Sequence, residues 1–201
     1  KRFNDWSDAK AAEAEALMKI AVAAGAEAVS LIPRNDGVAT GPAESRAVTE
    51  AALREVLPML KAHGLKAMVE PLGFGMCSLR SKTVLAGAID AVGGEGTLWM
   101  VHDTFHHALA GMGPIFPELT GIVHVSGVEA PLYLDEMRDG DRVLVGPGDV
   151  LGNVAQIRAL RAGGYTGPVS FEPFAASVHA FADAKGPLAA SMEFIAAGLA
   201  A

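Results

Sequence analysis

A single cysteine, Cys77, stands in the 201 residues, which excludes an internal disulfide framework and fits a reducing compartment. Positive charge is also in short supply. Sixteen Lys and Arg face 23 Asp and Glu, for a net charge of −7, which argues against nucleic acid as a partner. No run reaches the roughly 18 apolar residues a membrane span needs. The opening "KRFNDWSDAK" lacks the apolar core of a signal peptide, so the expected protein is soluble and cytoplasmic, with no membrane partner. Low-complexity tracts and an obvious linker are missing too, and residues 1–201 read as one domain. What is present is apolar: 51% hydrophobic against 19% charged, the balance of a packed globular core.

The apolar residues fall into alternating short and long segments. "AEAVSLI" (26–32), "KAMVEPL" (66–72), "TLWMVHD" (97–103), "GIVHVSG" (121–127) and "GPVSFEP" (167–173) read as strands. Their near-continuous apolar character is that of strands covered on both faces. Between them lie "SDAKAAEAEALMKIAVAAG", "PAESRAVTEAALREVLPMLKAHG", "SKTVLAGAIDAVG" and "NVAQIRALRAGG", each ending in the Gly favoured just past a helix. The last segment, "FADAKGPLAASMEFIAAGLAA", predicts a closing helix broken at Gly186-Pro187. Such alternation means right-handed βαβ units and a parallel sheet, hence an α/β fold. No strand is followed by a Gly-rich loop with dinucleotide spacing, since "PLGFGMCS" lacks it, so a nucleotide-binding sheet is disfavoured against a barrel.

In a parallel barrel, chemistry sits where strands end. Four strands deliver an ionisable residue there: Glu70, Asp103, His124 and Glu172. Each has a plain alternative. Glu70 can face solvent, Asp103 can cap the helix starting near Thr104, His124 can be a core histidine, and Glu172 can pack between Phe171 and Phe174. Burying any one unpaired costs several kcal/mol, so four together point to a shared purpose. Three carboxylates and an imidazole suit one divalent cation, Mn²⁺, Mg²⁺ or Co²⁺, with Zn²⁺ also compatible. His106, three residues after Asp103, lies one helical turn on and is expected either to support the ligands from behind or to contact the substrate. His102 alternates with Asp103 and is expected to be structural. His63 and His179 read as surface helix residues, and His107 is left open.

"VEPLGF", "VHDTFHH", "GIVHVSGV", "DRVLVGPGD" and "GYTGPVSFEPF" follow one another as in the sugar isomerase/epimerase superfamily. These are the xylose-isomerase-like TIM barrels, and the chain most resembles their inosose (2-keto-myo-inositol) isomerase-type members of inositol catabolism. The resemblance runs from about residue 6 to the C-terminus. It implies a (β/α)₈ barrel and a metal, Mn²⁺ foremost, held by Glu70, Asp103, His124 and Glu172. It also implies substrate contacts from His106 and Arg142, with Arg80 in "CSLR" offering another where some relatives carry a glutamate. Five strands against the barrel's eight, and about 250 residues for a full barrel, lead to the expectation that this chain covers the last five βα units.

The implied reaction is isomerisation or epimerisation of a keto-polyol or ketose through an enediolate, by proton transfer between Glu70 and Glu172 as the base-and-acid pair. The implied partners are a small sugar or cyclitol and a second copy in a homodimer. Two alternatives stand beside it. One is a phosphodiesterase of the endonuclease IV type, disfavoured by the acidic charge and small ligand set; the other is a barrel that binds a polyol without turnover.

Overall fold

The computed structural model describes residues 1–129 and 132–200. The chain divides into two compact units, Lys1–Val101 and His102–Ala201. No helix among the described residues is long and apolar enough to cross a membrane.

In the first unit, α1 (Asp8–Ala23) precedes β1 (Ala28–Leu31), α2 (Pro42–His63), β2 (Lys66–Val69), α3 (Lys82–Ala91) and β3 (Leu98–Asp103). The last two residues of β3 belong to the second unit. Ser7 starts α1 by accepting the Lys10 amide on its hydroxyl at 3.3 Å. In α2, Pro42 sits where no amide is needed, and Gly64 closes the helix at φ 66°, a left-handed conformation suited to glycine. The buried face of α2 is Thr49, Ala52, Leu53, Val56, Leu57 and Leu60, the three-and-four spacing of one helical stripe. Against it the strands pair in parallel, Leu31 with Val69 and Val69 with Met100. The Glu70 amide donates to the Leu31 carbonyl at 3.1 Å, carrying the ladder one residue past β2. Replacing fully buried Leu53 by Ala is expected to cost about 2–5 kcal/mol.

The second unit adds α4 (Thr104–Leu109), β4 (Thr120–Val125), α5 (Asn153–Ala162), β5 (Val169–Phe171), α6 (Ala176–His179) and α7 (Lys185–Ala200). β4 and β5 pair in parallel, His124 opposite Ser170, and the Glu172 amide extends the ladder to the Val125 carbonyl at 2.9 Å. The core gathers Val123, Val125, Val145, Ile157, Leu160, Tyr165 and Ile195. The Tyr165 hydroxyl donates to the Pro168 carbonyl at 2.6 Å, and burial pushes the phenol up to about 12. After β4 the chain folds back on itself, Gly127 and Val143 exchanging two hydrogen bonds of 2.8 Å. A Cβ at Gly127 would lie 3.0 Å from the Leu144 carbonyl oxygen, so a larger residue would press on this backbone and glycine suits the close approach.

The structure departs from two expectations. The closing helix is not broken at Gly186-Pro187: α7 runs through both. Pro187 falls in the first turn, where its missing N–H leaves no hydrogen bond unmade. β5 is not a strand covered on both faces, because Val169 and Ser170 are exposed. The five strands otherwise fall within the segments read from sequence, shortened at their ends, except that β4 begins one residue earlier.

Candidate metal centre

Asp103 ends β3 and caps α4. Its Oδ1 accepts the His106 amide at 2.9 Å, while its Oδ2 accepts Arg142 Nη2 at 2.6 Å. The capping role and the site role thus use different oxygens of one carboxylate. Asp103 is buried, a placement tolerable for a carboxylate only with such partners. His124 comes from β4 and Glu172 from the residue after β5, and their register brings His124 Nδ1 to 3.3 Å from Glu172 Oε2. Glu172 Oε2 also accepts Arg142 Nη2 at 2.9 Å.

Arg142 organises this group. It is 1% exposed, and its Nε donates to the Ser126 hydroxyl at 2.9 Å while Nη1 reaches Asp139 at 3.2 Å. The guanidinium carbon lies 4.9 Å from the ring centres of both Phe105 and Phe174. Burial alone would lower its pKa, but Asp103, Glu172 and Asp139 reverse that and raise it, so the charge is retained. Glu172 is the reciprocal case. Burial favours its neutral form, yet the hydrogen bond and pull of His124, with the Arg142 charge, bring its pKa down to about 2.

The donor atoms of Asp103, His124 and Glu172 lie within 4.8 Å of one another. Donors sharing one divalent ion at roughly 2.0–2.2 Å stand at most about 4.4 Å apart, so small inward adjustments suffice. Two oxygens and one imidazole nitrogen are a donor set for a borderline or hard divalent cation. This Asp/His/Glu cluster could hold a metal ion.

Glu70 follows β2 in the first unit and is buried; Arg80, in the same unit, is exposed and donates from Nε to the Gly73 carbonyl at 2.7 Å. His106 is buried in α4 with its ring edge-on to Phe105, centres 5.2 Å apart. His102 is buried 3.0 Å from Gln156 Oε1, and the His107 ring lies 4.7 Å from it. His63, half-buried, meets Glu15 at 3.1 Å, and His179 meets the Pro173 carbonyl at 3.1 Å. Residues that sequence reasoning passed over surround Asp103 and Arg142: Ser126, Asp139, Asn153 and Gln156. The spacing of Asn153 and Gln156, three apart in the first turn of α5, is the one signal that could have paired them.

The comparisons with known proteins bear on the fold and the family. A structure of a xylose isomerase domain containing protein from Salmonella typhimurium LT2 superposes with a TM-score of 0.82 at 29% identity, over 98% of this chain and 71% of that one. The IolI protein with a bound zinc atom gives 0.83 at 19% identity, over 95% and 69%. D-allulose 3-epimerase from Methylomonas sp., in complex with D-allulose, gives 0.68 at 18%, over 94% and 69%. No curated protein matches the chain. The xylose isomerase-like TIM barrel family matches residues 4–197, nearly the whole length, and the chain belongs to that family.

Proposed function

We propose that this protein is a divalent-metal-dependent isomerase or epimerase of a keto-polyol or ketose, with 2-keto-myo-inositol the first substrate to test. The observation that carries the reading is the convergence of Asp103, His124 and Glu172, with Glu172 held ionised beside Arg142. Sugar epimerases and a xylose isomerase domain protein among the structural relatives, and the bound zinc and D-allulose in two of the relatives, support it. Glu70 is proposed as the fourth ligand, on its position at the end of β2 and the family resemblance. Mn²⁺ is the preferred ion for three oxygens and one nitrogen, with Zn²⁺, Mg²⁺ and Co²⁺ as alternatives.

The bound ion would supply Lewis-acid polarisation of a substrate carbonyl. The protein's own residues do the rest. Glu172, a carboxylate throughout the neutral range, accepts the proton from the carbon beside the carbonyl, and the freed electron pair forms the enediolate. Glu70 is proposed to supply a proton to the former carbonyl carbon, while the adjacent hydroxyl proton passes to the former carbonyl oxygen, which moves the carbonyl. Return to the original carbon on the opposite face inverts that centre. His106 and Arg80 are proposed substrate contacts. Arg142 is a third, reaching substrate only by exchanging one of its present carboxylate bonds. A cytoplasmic homodimer belongs to the same proposal.

The test is solvent deuterium entering the carbon beside the carbonyl, followed by NMR across keto-inositols and ketoses with added Mn²⁺. Incorporation is expected for one substrate class and is expected to fall by about 10²–10⁴ in Glu172→Gln. A Glu172→Gln protein that binds the metal and keeps most of its activity removes these roles.

A further inference from the structure

The first turn of α5 carries two buried amides, Asn153 and Gln156, which the chemistry above leaves unused. Gln156 holds the chain on either side of Asp103, and Asn153 holds it on the Thr104 side. Gln156 Nε2 donates to the Thr104 carbonyl at 3.1 Å and to the Leu151 carbonyl at 2.9 Å. Two carbonyl acceptors decide which end of this amide is nitrogen. Its oxygen therefore faces His102 Nε2 at 3.0 Å, and that ring nitrogen carries the proton. Asn153 Nδ2 donates to the Ser126 carbonyl at 2.9 Å and to Asp149 Oδ2 at 3.0 Å, so its oxygen accepts the Thr104 hydroxyl at 2.5 Å. Ser126 in turn accepts Arg142 Nε on its hydroxyl.

We propose that Asn153, seconded by Gln156, is a positioning residue for the metal centre. It ties Thr104, next to Asp103, to Ser126, which holds Arg142, and so sets the 2.6 Å contact between Arg142 and Asp103. Asp103 cannot shift along β3 while both its neighbours are held. The brace stands on hydrogen bonds alone; its effect on metal binding rests on the proposed function.

Thr104→Val removes the hydroxyl at nearly constant shape, and Thr104→Ser restores it. Ser191→Ala is the control, deleting another buried hydroxyl-to-carbonyl bond, to Val145 at 2.6 Å, away from the centre. The first readout is solvent exchange of the Arg142 Nε proton by NMR on the metal-free full chain. Exchange is expected to quicken about tenfold or more in Thr104→Val and Asn153→Ala, and to stay as in the parent in Thr104→Ser and Ser191→Ala. The second is Mn²⁺ affinity by calorimetry, expected to weaken about 10–100-fold in the same two variants, as for groups that orient metal ligands. Unchanged Arg142 exchange in Thr104→Val, or an equal change in Ser191→Ala, overturns the brace whatever the metal does. A parent protein that takes up no Mn²⁺ while its Arg142 proton responds as expected overturns the metal reading and leaves the brace standing.

Discussion

The two units bury polarity in different ways. In the first, apart from Glu70 and Lys82, the buried polar residues are neutral: Asn4, Ser45, Thr49 and Ser78. Three of these fix backbone, Asn4 accepting the Arg34 amide at 2.9 Å, Ser45 donating to the Ser78 carbonyl at 2.5 Å and Ser78 donating to the Arg34 carbonyl at 2.9 Å. In the second, an arginine and an aspartate are buried together, ringed by Thr104, Ser126, Asn153 and Gln156. A neutral hydrogen bond contributes about 1 kcal/mol and tolerates loss, whereas a buried ion pair depends on both partners. The second unit has therefore placed its less forgiving interactions where the cation would sit.

That contrast can be broken at Arg142. Arg142→Met leaves Asp103 buried without its counter-charge and is expected to lower stability by about 3–5 kcal/mol in urea unfolding with chelator present. A loss below about 1 kcal/mol would place the second unit with the first.

A smaller effect sharpens the comparison through Tyr165. Its pKa in the folded protein is raised to about 12 from 10, so the neutral phenol is favoured by folding. The corresponding stability is fully present below pH 10 and is lost as pH rises toward 12, where the phenolate can no longer donate to Pro168. In a Tyr133→Phe background Tyr165 is the one remaining tyrosine of the two, and its ultraviolet phenolate absorbance is expected to appear near pH 12. Absorbance rising at pH 10 would show a phenol open to solvent.

The smallest effect has the opposite sign. Thr49, fully buried in α2, has a hydroxyl with no hydrogen-bond partner among the described residues. Thr49→Val should stabilise the protein by about 1 kcal/mol in thermal or urea unfolding, because the lost group is a desolvated one. A destabilised variant would mean the first unit also depends on its buried polar groups.

Much of this was legible in the sequence because an ionisable residue ending an apolar strand is an anomaly that composition cannot hide. Asp103, His124 and Glu172 are visible in that way, and glycines mark the helix ends. Arg142 was reached only through the family resemblance, since its loop returns to the site by tertiary folding rather than by any local period. Asn153 and Gln156 were invisible for a related reason. Neutral polar residues in the first turn of a helix ordinarily face water, and only the packing of α5 buries these two. The Gly186-Pro187 pair misled because the same residues that break a helix interior are harmless in its first turn. The exposure of β5 depends on what stands beside it, which a strand's own residues do not encode.

The most direct test of the account is calorimetric titration of the metal-stripped full chain with Mn²⁺ and, separately, Zn²⁺. The account predicts one site per chain, weakened by about 100-fold or more in Asp103→Asn, His124→Asn and Glu70→Gln. Absence of uptake of either ion by the folded parent, or uptake unchanged in the Asp103 and His124 variants, would contradict it.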